Sequence, residues 1–354
     1  MPVRKSIRFG AALVAASVAL AGCAPAPDAE DGGGAAADGC VRMVTNSGGL
    51  EDRSFNQSSW EGLQQAEEEY GVEAEAIVST TETDLAPNVQ QAVDSGCGLI
   101  VTVGYELADA TLDQAGRNPD VAFAIVDESV EAENVKPVVF DTAQASYLAG
   151  YLAAGVSKSG VVATFGGGNQ PPVTLFMDGF VDGVARYNEV HGTDVRALGW
   201  NKETQDGSFT GDFEDINKGK VLTEGFIDQG ADVVLPVAGQ VGEGAAAAAV
   251  ERDGVSIIWV DSDGYDTLPA EFRPVLLTSV LKNTQQAMVE IVGDVQGGSF
   301  TNEPYVGTLE NGGVDLAPYH DLESLVPAGL QGELEGIRQA IIAGELVVES
   351  PSTP

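Results

Sequence analysis

The sequence predicts an α/β protein with two doubly wound parallel-sheet lobes joined by a multi-strand hinge. Continuous apolar runs bounded by Gly, Asp or Pro recur along the chain, as is typical of parallel strands buried on both faces. Helical patterns fill the gaps, and this alternation favours parallel sheets. The runs form two groups of five with similar spacing. This grouping favours two similar lobes over one ten-stranded sheet.

The first 22 residues predict a lipoprotein signal peptide. Arg4, Lys5 and Arg8 precede an apolar run that is too short to span a bilayer. Residues 20–23 read Leu-Ala-Gly-Cys, which resembles a bacterial lipobox and implies cleavage before Cys23 and lipidation of its thiol. The alternative is an ordinary signal peptide with an incidental Cys. Residues 23–39 lack large apolar side chains, so we expect a flexible tether.

The charge of the chain argues against anionic partners. Its formal net charge is −37, from 17 basic and 54 acidic residues. Such a surface repels nucleic acid and anionic headgroups, so we expect no nucleic-acid partner and membrane contact only through the lipid anchor. With Cys23 lipidated, Cys40 and Cys97 remain, and each directly precedes or lies close to an apolar run. An even pair in an exported protein predicts a disulfide.

The individual elements follow from these patterns along the chain. The predicted strands of the first lobe are 41–45, 72–78, 99–103, 121–126 and 138–140. Those of the second lobe are 161–165, 195–198, 233–237, 256–260 and 275–280. Predicted helices are 60–70, 88–95, 107–116, 142–156, 177–187, 218–229, 284–295 and 330–343.

The tail after the tenth strand contains a Gly-rich region with extended pieces up to Asp315. A tail of this length can cross back between the lobes and build a hinge of several strands. We therefore predict a first lobe of residues 40–142 and 284–312, and a second lobe of residues 143–283 and 313–350.

Catalytic sites find little support in the sequence. The only histidines, His191 and His320, lack a His or Cys at ligand spacing, which argues against zinc. We place His191 in a loop, 188–194. No Gly-x-Ser-x-Gly elbow occurs. Residues 166–169 read Gly-Gly-Gly-Asn, which can hold a phosphate but lacks the P-loop Lys; a plain turn into a helix beginning at Pro171 is the preferred interpretation. We expect no enzyme activity, metal or cofactor.

Polar and aromatic residues instead gather where strands end, the edge at which open α/β sheets bind ligands. The loop 48–60 follows the first strand, and Ser54 or Asn56 can cap the helix after it. A single strand-end Asp is often only a helix cap, but several from both lobes favour a cleft for a small polar ring compound. The candidates are Asp52, Phe55, Asn56, Asp127, Phe176, Phe209, Gly239, Asp261 and Lys282.

These residues carry a resemblance to a known family. Residues 48–63 read Gly-Gly-Leu-Glu-Asp-Arg-Ser-Phe-Asn-Gln-Ser-Ser-Trp-Glu-Gly-Leu, which closely resembles the first motif of the basic membrane protein family of bacterial lipoproteins. The likeness continues in order through residues 147–154, 171–174, 178–180, 228–233, 236–239 and 260–263. Members of this PnrA-like family are nucleoside-binding proteins of ABC importers, with the two-lobed fold of type I periplasmic binding proteins.

The resemblance implies a function and a set of roles. It places Asp52 and Asn56 at the base, Asp261 and Lys282 at the ribose, and backbone contacts at Gly239. We therefore expect a lipid-anchored, extracytoplasmic protein that delivers a purine nucleoside to ABC permease subunits. A sugar-binding protein of the same fold and a lipoprotein presenting ligand to a membrane sensor are the alternatives.

Overall fold

A computed structural model describes residues 39–354 of the chain. The predicted signal peptide, the predicted lipidation site Cys23 and all but the last residue of the predicted tether lie outside the described residues. Within the described part, two six-stranded sheets and one two-stranded hairpin are flanked by helices. The predicted α/β class is thereby confirmed.

The first sheet has the strand order β13-β5-β4-β3-β1-β2, and all its neighbouring strands are parallel. Its strands are β1 (Cys40–Thr45), β2 (Glu73–Ile77), β3 (Leu99–Val103), β4 (Ala122–Val126), β5 (Val135–Phe140) and β13 (Tyr305–Gly307).

The second sheet has the corresponding order β14-β12-β11-β10-β6-β7, and only β14 is antiparallel to its neighbour. Its strands are β6 (Val161–Gly166), β7 (Arg196–Leu198), β10 (Val233–Val237), β11 (Ser256–Asp261), β12 (Leu276–Lys282) and β14 (Val314–Leu316). The hairpin consists of β8 (Trp200–Asn201) and β9 (Asp206–Gly207).

Helices cover both faces of each sheet. The first lobe carries α1 (Phe55–Tyr70), α2 (Leu85–Asp94), α3 (Ala108–Arg117) and α9 (Thr284–Gln296). The second lobe carries α4 (Thr142–Val156), α5 (Pro171–His191), α6 (Ile216–Ile227), α7 (Gly242–Val250), α8 (Gly264–Thr267) and α10 (Ala328–Ile342). Short 3₁₀ turns span Glu82–Asp84, Tyr105–Leu107, Gly239–Val241, Ala270–Val275 and His320–Leu325.

The central strands of both sheets are almost entirely apolar, and both of their faces are buried. In β4, Ala124 and Val126 pack on one face of the first sheet, while Phe123 and Ile125 pack on the other. The second sheet is built in the same way, so neighbouring strand residues belong to different apolar clusters. This burial explains why continuous apolar runs, rather than alternating ones, mark these strands.

The chain crosses between the two sheets three times, and the crossings lie side by side. The first follows β5 at Asp141, the second follows β12 at Asn283, and the third joins β13 to β14. The backbone N–H of Asp141 donates to Gly307 (2.8 Å), and that of Asn283 donates to Gly313 (2.9 Å). Backbone hydrogen bonds therefore tie the three crossings into one multi-strand hinge.

All ten predicted strands are confirmed within a few residues, and helix 142–156 has the predicted bounds. The placement of His191 in a loop was wrong. This residue is the last of α5, and Gly192, with φ of +66°, caps the end of the helix. The turn predicted before Pro171 is present, with Pro at the first helical position.

The structure joins Cys40 and Cys97 by a disulfide, with Cα atoms 5.1 Å apart. Both residues lie at the amino ends of neighbouring strands, since Val41 pairs with Leu99 between β1 and β3. In residues 39–354, no helix combines the length and apolar character needed to cross a membrane.

Candidate functional site

A cavity lies at the carboxyl ends of the strands, between the two sheets. It encloses about 640 Å³ of space between atoms, including the space open to solvent at its mouth. The first lobe lines it with Asn46, Ser47, Gly48, Asp52, Phe55, Asn56, Gly104, Tyr105, Glu106 and Asp127. The second lobe lines it with Gln170, Pro172, Val173, Phe176, Phe213, Val237, Ala238, Gly239, Gln240, Val260, Asp261 and Lys282.

Asp52 lies three residues before α1 and forms part of the cavity wall. Its Oδ1 accepts backbone N–H bonds from Ser54 (3.1 Å) and Gln57 (3.0 Å), and its Oδ2 accepts one from Asn56 (2.7 Å). Burial raises the pKa of this carboxyl to about 6, although the three amides act in the opposite direction. Ser54 is the N-cap residue of α1, as predicted, but its side chain makes no capping hydrogen bond; Asn56 lies inside the helix, so the alternative that it caps the helix was wrong.

Asp127 and Asp261 hold equivalent positions in the two lobes. Asp127 follows β4 and Asp261 ends β11, the third strand from the same edge in each sheet. Both have φ of +66°, in the left-handed region that is uncommon for residues other than Gly. Strained backbone of this kind clusters at ligand-binding sites. The two carboxylates are thereby turned into the space between the sheets.

Lys282, the last residue of β12, lies between these two carboxylates. Its Nζ is 2.5 Å from Asp127 Oδ2 and 3.7 Å from Asp261 Oδ1, and the whole residue is only 3% exposed. Burial alone lowers the pKa of the ammonium, but the two neighbouring carboxylates outweigh burial and raise it. Lys282 is therefore charged, and it connects the two lobes across the cavity floor.

Aromatic rings surround the same ammonium. Lys282 Nζ lies 4.6 Å from the ring centroid of Phe55 and 5.7 Å from those of Phe140 and Phe176. Phe55 begins α1 in the first lobe, and Phe176 lies near the start of α5 in the second. The cavity thus combines charged groups at its floor with apolar ring surfaces from both lobes.

Amide side chains supply further polar groups. Asn56 Nδ2 donates to Asn46 Oδ1 (2.9 Å), while Asn56 Oδ1 has no hydrogen-bond partner among the described residues. Gln170 Nε2 approaches Glu106 Oε1 at 3.3 Å, which joins the lobes near the mouth. Gly239 has φ of +50° where the chain turns after β10, so its place at the wall suits a residue without a side chain.

The structure brings eight of the nine predicted ligand-binding residues to the cavity, and Phe209 is the exception. Phe209 packs edge-on against Trp200, with ring centroids 5.9 Å apart, and bridges to Gly166. Its ring covers the end of β6, whereas the ring of Phe213, four residues later, reaches the cavity.

Sequence reasoning missed several lining residues, above all Asn46, Glu106, Gln170 and Phe213. Asn46 follows β1 directly, and Glu106 follows β3 after Gly104 and Tyr105, so the strand-end signal that identified Asp127 applies to both. Phe213 lies in a loop whose path depends on tertiary packing. Among residues 39–354, no group of three or more His, Cys, Asp or Glu is arranged to hold a metal ion.

Two kinds of sequence comparison, with a family model and with individual proteins, indicate the same family. The family model for the ABC transporter substrate-binding protein PnrA-like family matches residues 40–351. A relative from Lactococcus lactis subsp. cremoris, named ABC transporter nucleoside-binding protein BmpA, is 31% identical over 333 residues, covering 89% of this chain and 92% of the relative. Basic membrane protein A1 of Borrelia garinii is 26% identical, with 85% and 86% covered.

Solved structures show the same fold. A solute-binding protein of an ABC transporter system from Aeropyrum pernix superposes with a TM-score of 0.78 at 24% identity, covering 87% of this chain and 92% of that one. A transcriptional activator of the comK gene from Bacillus halodurans superposes with a TM-score of 0.70 at 20% identity, covering 87% and 99%. One architecture therefore carries different tasks.

Proposed function

The chain belongs to the PnrA-like family of ABC transporter substrate-binding proteins, and from this premise we propose that it captures a purine nucleoside between its lobes. The family is one of binding proteins rather than enzymes, and such proteins act outside the cytoplasm. We further propose delivery of the ligand to the permease subunits of an ABC importer.

The Asp127–Lys282–Asp261 arrangement carries this proposal. Carboxylates accept hydrogen bonds from the hydroxyls of a ribose, and the ammonium donates to a ribose oxygen or a base nitrogen. Lys282 is the only cationic side chain among the cavity-lining residues. A neutral polyhydroxylated ligand suits such a floor, because it satisfies these charges without adding one.

The remaining walls suit a heterocyclic base. The rings of Phe55 and Phe176 come from opposite lobes and both approach Lys282. Aromatic faces stack on planar bases. Asn56 offers an amide oxygen that has no partner among the described residues, and an amide can both donate to and accept from a base edge. Asp52 and Gly239 complete our proposed base-binding set.

We propose that residues 40–142 with 284–312, and 143–283 with 313–350, are the two lobes that close on the ligand. The adjacent crossings at Asp141 and Asn283 form the hinge. Ligand groups from both lobes then come together only when the cleft is closed. Hinges commonly consist of a few element-terminal residues of this kind.

The experiment is a calorimetric titration against purine nucleosides, pyrimidine nucleosides, free bases and ribose. Purine nucleosides should bind most tightly. Asp261→Ala should weaken their binding by about 30-fold to 1000-fold, because losing a charge-assisted hydrogen-bond acceptor in a desolvated site costs about 2 to 4 kcal/mol. It should also narrow the difference between nucleoside and free base.

Asp232→Ala is the matched control, since Asp232 accepts hydrogen bonds from Ser157, Lys158 and Ser159 within the second lobe and does not line the cavity. The nucleoside affinity of this variant should stay within about threefold of the parent's, a smaller change than the loss of a typical hydrogen bond causes. Tighter binding of ribose than of any nucleoside would replace the proposed ligand with a sugar. Equal affinities for the parent and a folded Asp261→Ala variant would remove the ribose assignment.

Anchoring through Cys23 is a separate proposal that rests on the lipobox-like residues 20–23. In cells, the parent should fractionate with membranes, and Cys23→Ser should release it. Membrane retention of the Cys23→Ser protein would contradict lipid anchoring.

A further inference from the structure

A second set of contacts crosses the cleft outside the cavity, at the short loop before α1. The backbone carbonyl of Arg53 accepts hydrogen bonds from Trp259 Nε1 (3.3 Å) and Thr267 Oγ1 (3.1 Å). The Ser54 hydroxyl donates to Asp261. Each of these bonds joins the first lobe to the second.

The first-lobe side of this contact is held rigidly. Asp52 accepts three backbone N–H bonds from the residues that begin α1, one of them from Ser54. Arg53 has φ of +62°, an uncommon conformation for a side chain of its size. This conformation accompanies a carbonyl that serves two donors of the opposite lobe. The strain is therefore located at the point of contact between the lobes.

The second-lobe side is equally well fixed. The Trp259 ring packs against Gly242 and Gly264 so closely that an added Cβ would come within 2.6 Å and 2.8 Å of Trp259 atoms. Thr267 ends the short helix α8, whose start is capped by the Asp263 side chain. Neither donor can follow Arg53 if the lobes separate, so the bonds depend on closure.

We propose that Arg53 and Ser54 form a latch that stabilises the closed cleft without contacting the ligand. Neither residue lines the cavity, and among their partners Trp259 and Thr267 do not line it either, whereas Asp261 does. The latch bonds are made only when the lobes meet, so they slow opening and thereby the release of any bound ligand. This inference rests on the proposed function, in which the lobes close on a ligand.

A latch and a ligand contact affect the affinities for different ligands in different ways. Apparent affinity scales with the fraction of protein in the binding-competent state. Weakening the latch therefore lowers the affinity for every ligand by the same factor. A residue that contacts the ligand, such as Asp261 in our proposal, instead changes the preference between nucleoside and free base.

The test uses Ser54→Ala, Thr267→Val and their combination, in purified protein. Stopped-flow measurement with a purine nucleoside should show dissociation about 3-fold to 10-fold faster for each single variant and about 10-fold to 100-fold faster for the double variant. The association rate should stay within about threefold. Ser54→Thr keeps the hydroxyl and should restore dissociation to near the parent rate.

Two control variants remove similar hydroxyls that bond within one lobe. Ser59 Oγ donates to Phe55 O inside α1, and Thr210 Oγ1 donates to Asp212 O in the second lobe. Ser59→Ala and Thr210→Val should leave dissociation unchanged. If the latch variants release nucleoside no faster than these controls, or if the affinity loss of Thr267→Val, whose partner Arg53 does not line the cavity, differs between ligands, the latch is refuted.

Small-angle scattering of the ligand-free protein separates this proposal from the proposed function. Should the parent bind no nucleoside, the proposed function fails and scattering alone decides on the latch. A larger radius of gyration for the double variant than for the parent and both controls then supports the latch. Equal radii for all four proteins would overturn it.

Discussion

The two lobes share one topology but supply different chemistry to the cavity. Each sheet places an aspartate at the end of its third strand, Asp127 in one and Asp261 in the other, and both have φ of +66°. The next strand differs, because β12 ends in Lys282 while β5 ends in Phe140. The cation therefore comes from the second lobe alone.

The helices that follow the first strand of each lobe differ in the same way. Helix α1 begins with the buried carboxylate of Asp52 bonded to three backbone amides. Helix α5 begins with Pro171 and Pro172 and has no side-chain cap hydrogen bond. The shared backbone topology of the two lobes thus determines where cavity-lining side chains lie. The different residues at strand ends and helix starts make the two sides of the cavity chemically different.

Removing the cation should disturb this arrangement most. Lys282→Met leaves two buried carboxylates without their shared partner and should lower the free energy of unfolding by about 3 to 5 kcal/mol. Lys202→Met is the control, since Lys202 pairs with Asp182 in a more exposed setting and should cost about 1 kcal/mol or less. Urea unfolding measures both. Equal losses of unfolding free energy in the two variants would mean that Lys282 does not stabilise the buried carboxylates of Asp127 and Asp261.

The disulfide strengthens only the first lobe, at the edge away from the cavity. Replacing both Cys40 and Cys97 with Ala should lower the free energy of unfolding by about 2 to 4 kcal/mol, because the bond restricts a loop in the unfolded chain. Nucleoside affinity should remain within about twofold of the parent. A large loss of affinity would show that the two ends of the first lobe are coupled.

Asp52 gives the first lobe a dependence on pH. Its folded-state pKa of about 6 exceeds the ordinary 3.8, so the folded protein holds this proton more tightly than the unfolded chain. The stabilisation is fully present below about pH 4 and is lost as pH rises through about 6, by up to about 3 kcal/mol. The difference between the unfolding free energies of the parent and of Asp52→Asn should therefore decrease as the pH rises.

Asp84→Asn is the matched control, because hydrogen bonds from Thr80 and Thr81 lower the pKa of the Asp84 carboxyl. The stabilisation that Asp84 contributes should be lost as pH falls, whereas that of Asp52 should be lost as pH rises. Urea unfolding between pH 3 and 7 tests both variants. The same direction for the two aspartates would contradict the effect of burial on Asp52.

Local patterns predicted the fold better than the site. The central strands were predictable because their apolar runs are buried on both faces, whereas the edge strands β2 and β7 are partly exposed and mix apolar with charged residues. Helix α7 was not predicted, since its run of Ala and Gly gives no contrast between faces. Strands β13 and β14 have only three residues each, and their pairing with distant strands decides their structure.

Within the site, residues directly at strand ends were predictable because parallel strands end at one edge. The role of Phe213 rather than Phe209 depends on how a loop folds over β6. The bonds from Trp259 and Thr267 to Arg53 depend on how two lobes meet. Neither relation leaves a periodic signal in the chain.

A crystal structure of the protein with a purine nucleoside tests the proposed cavity most directly. The ribose hydroxyls should lie about 2.5 to 3.0 Å from carboxylate oxygens of Asp261 or Asp127, with the base between the rings of Phe55 and Phe176. A nucleoside bound outside this cavity, or one whose ribose makes no contact with either carboxylate, would contradict it.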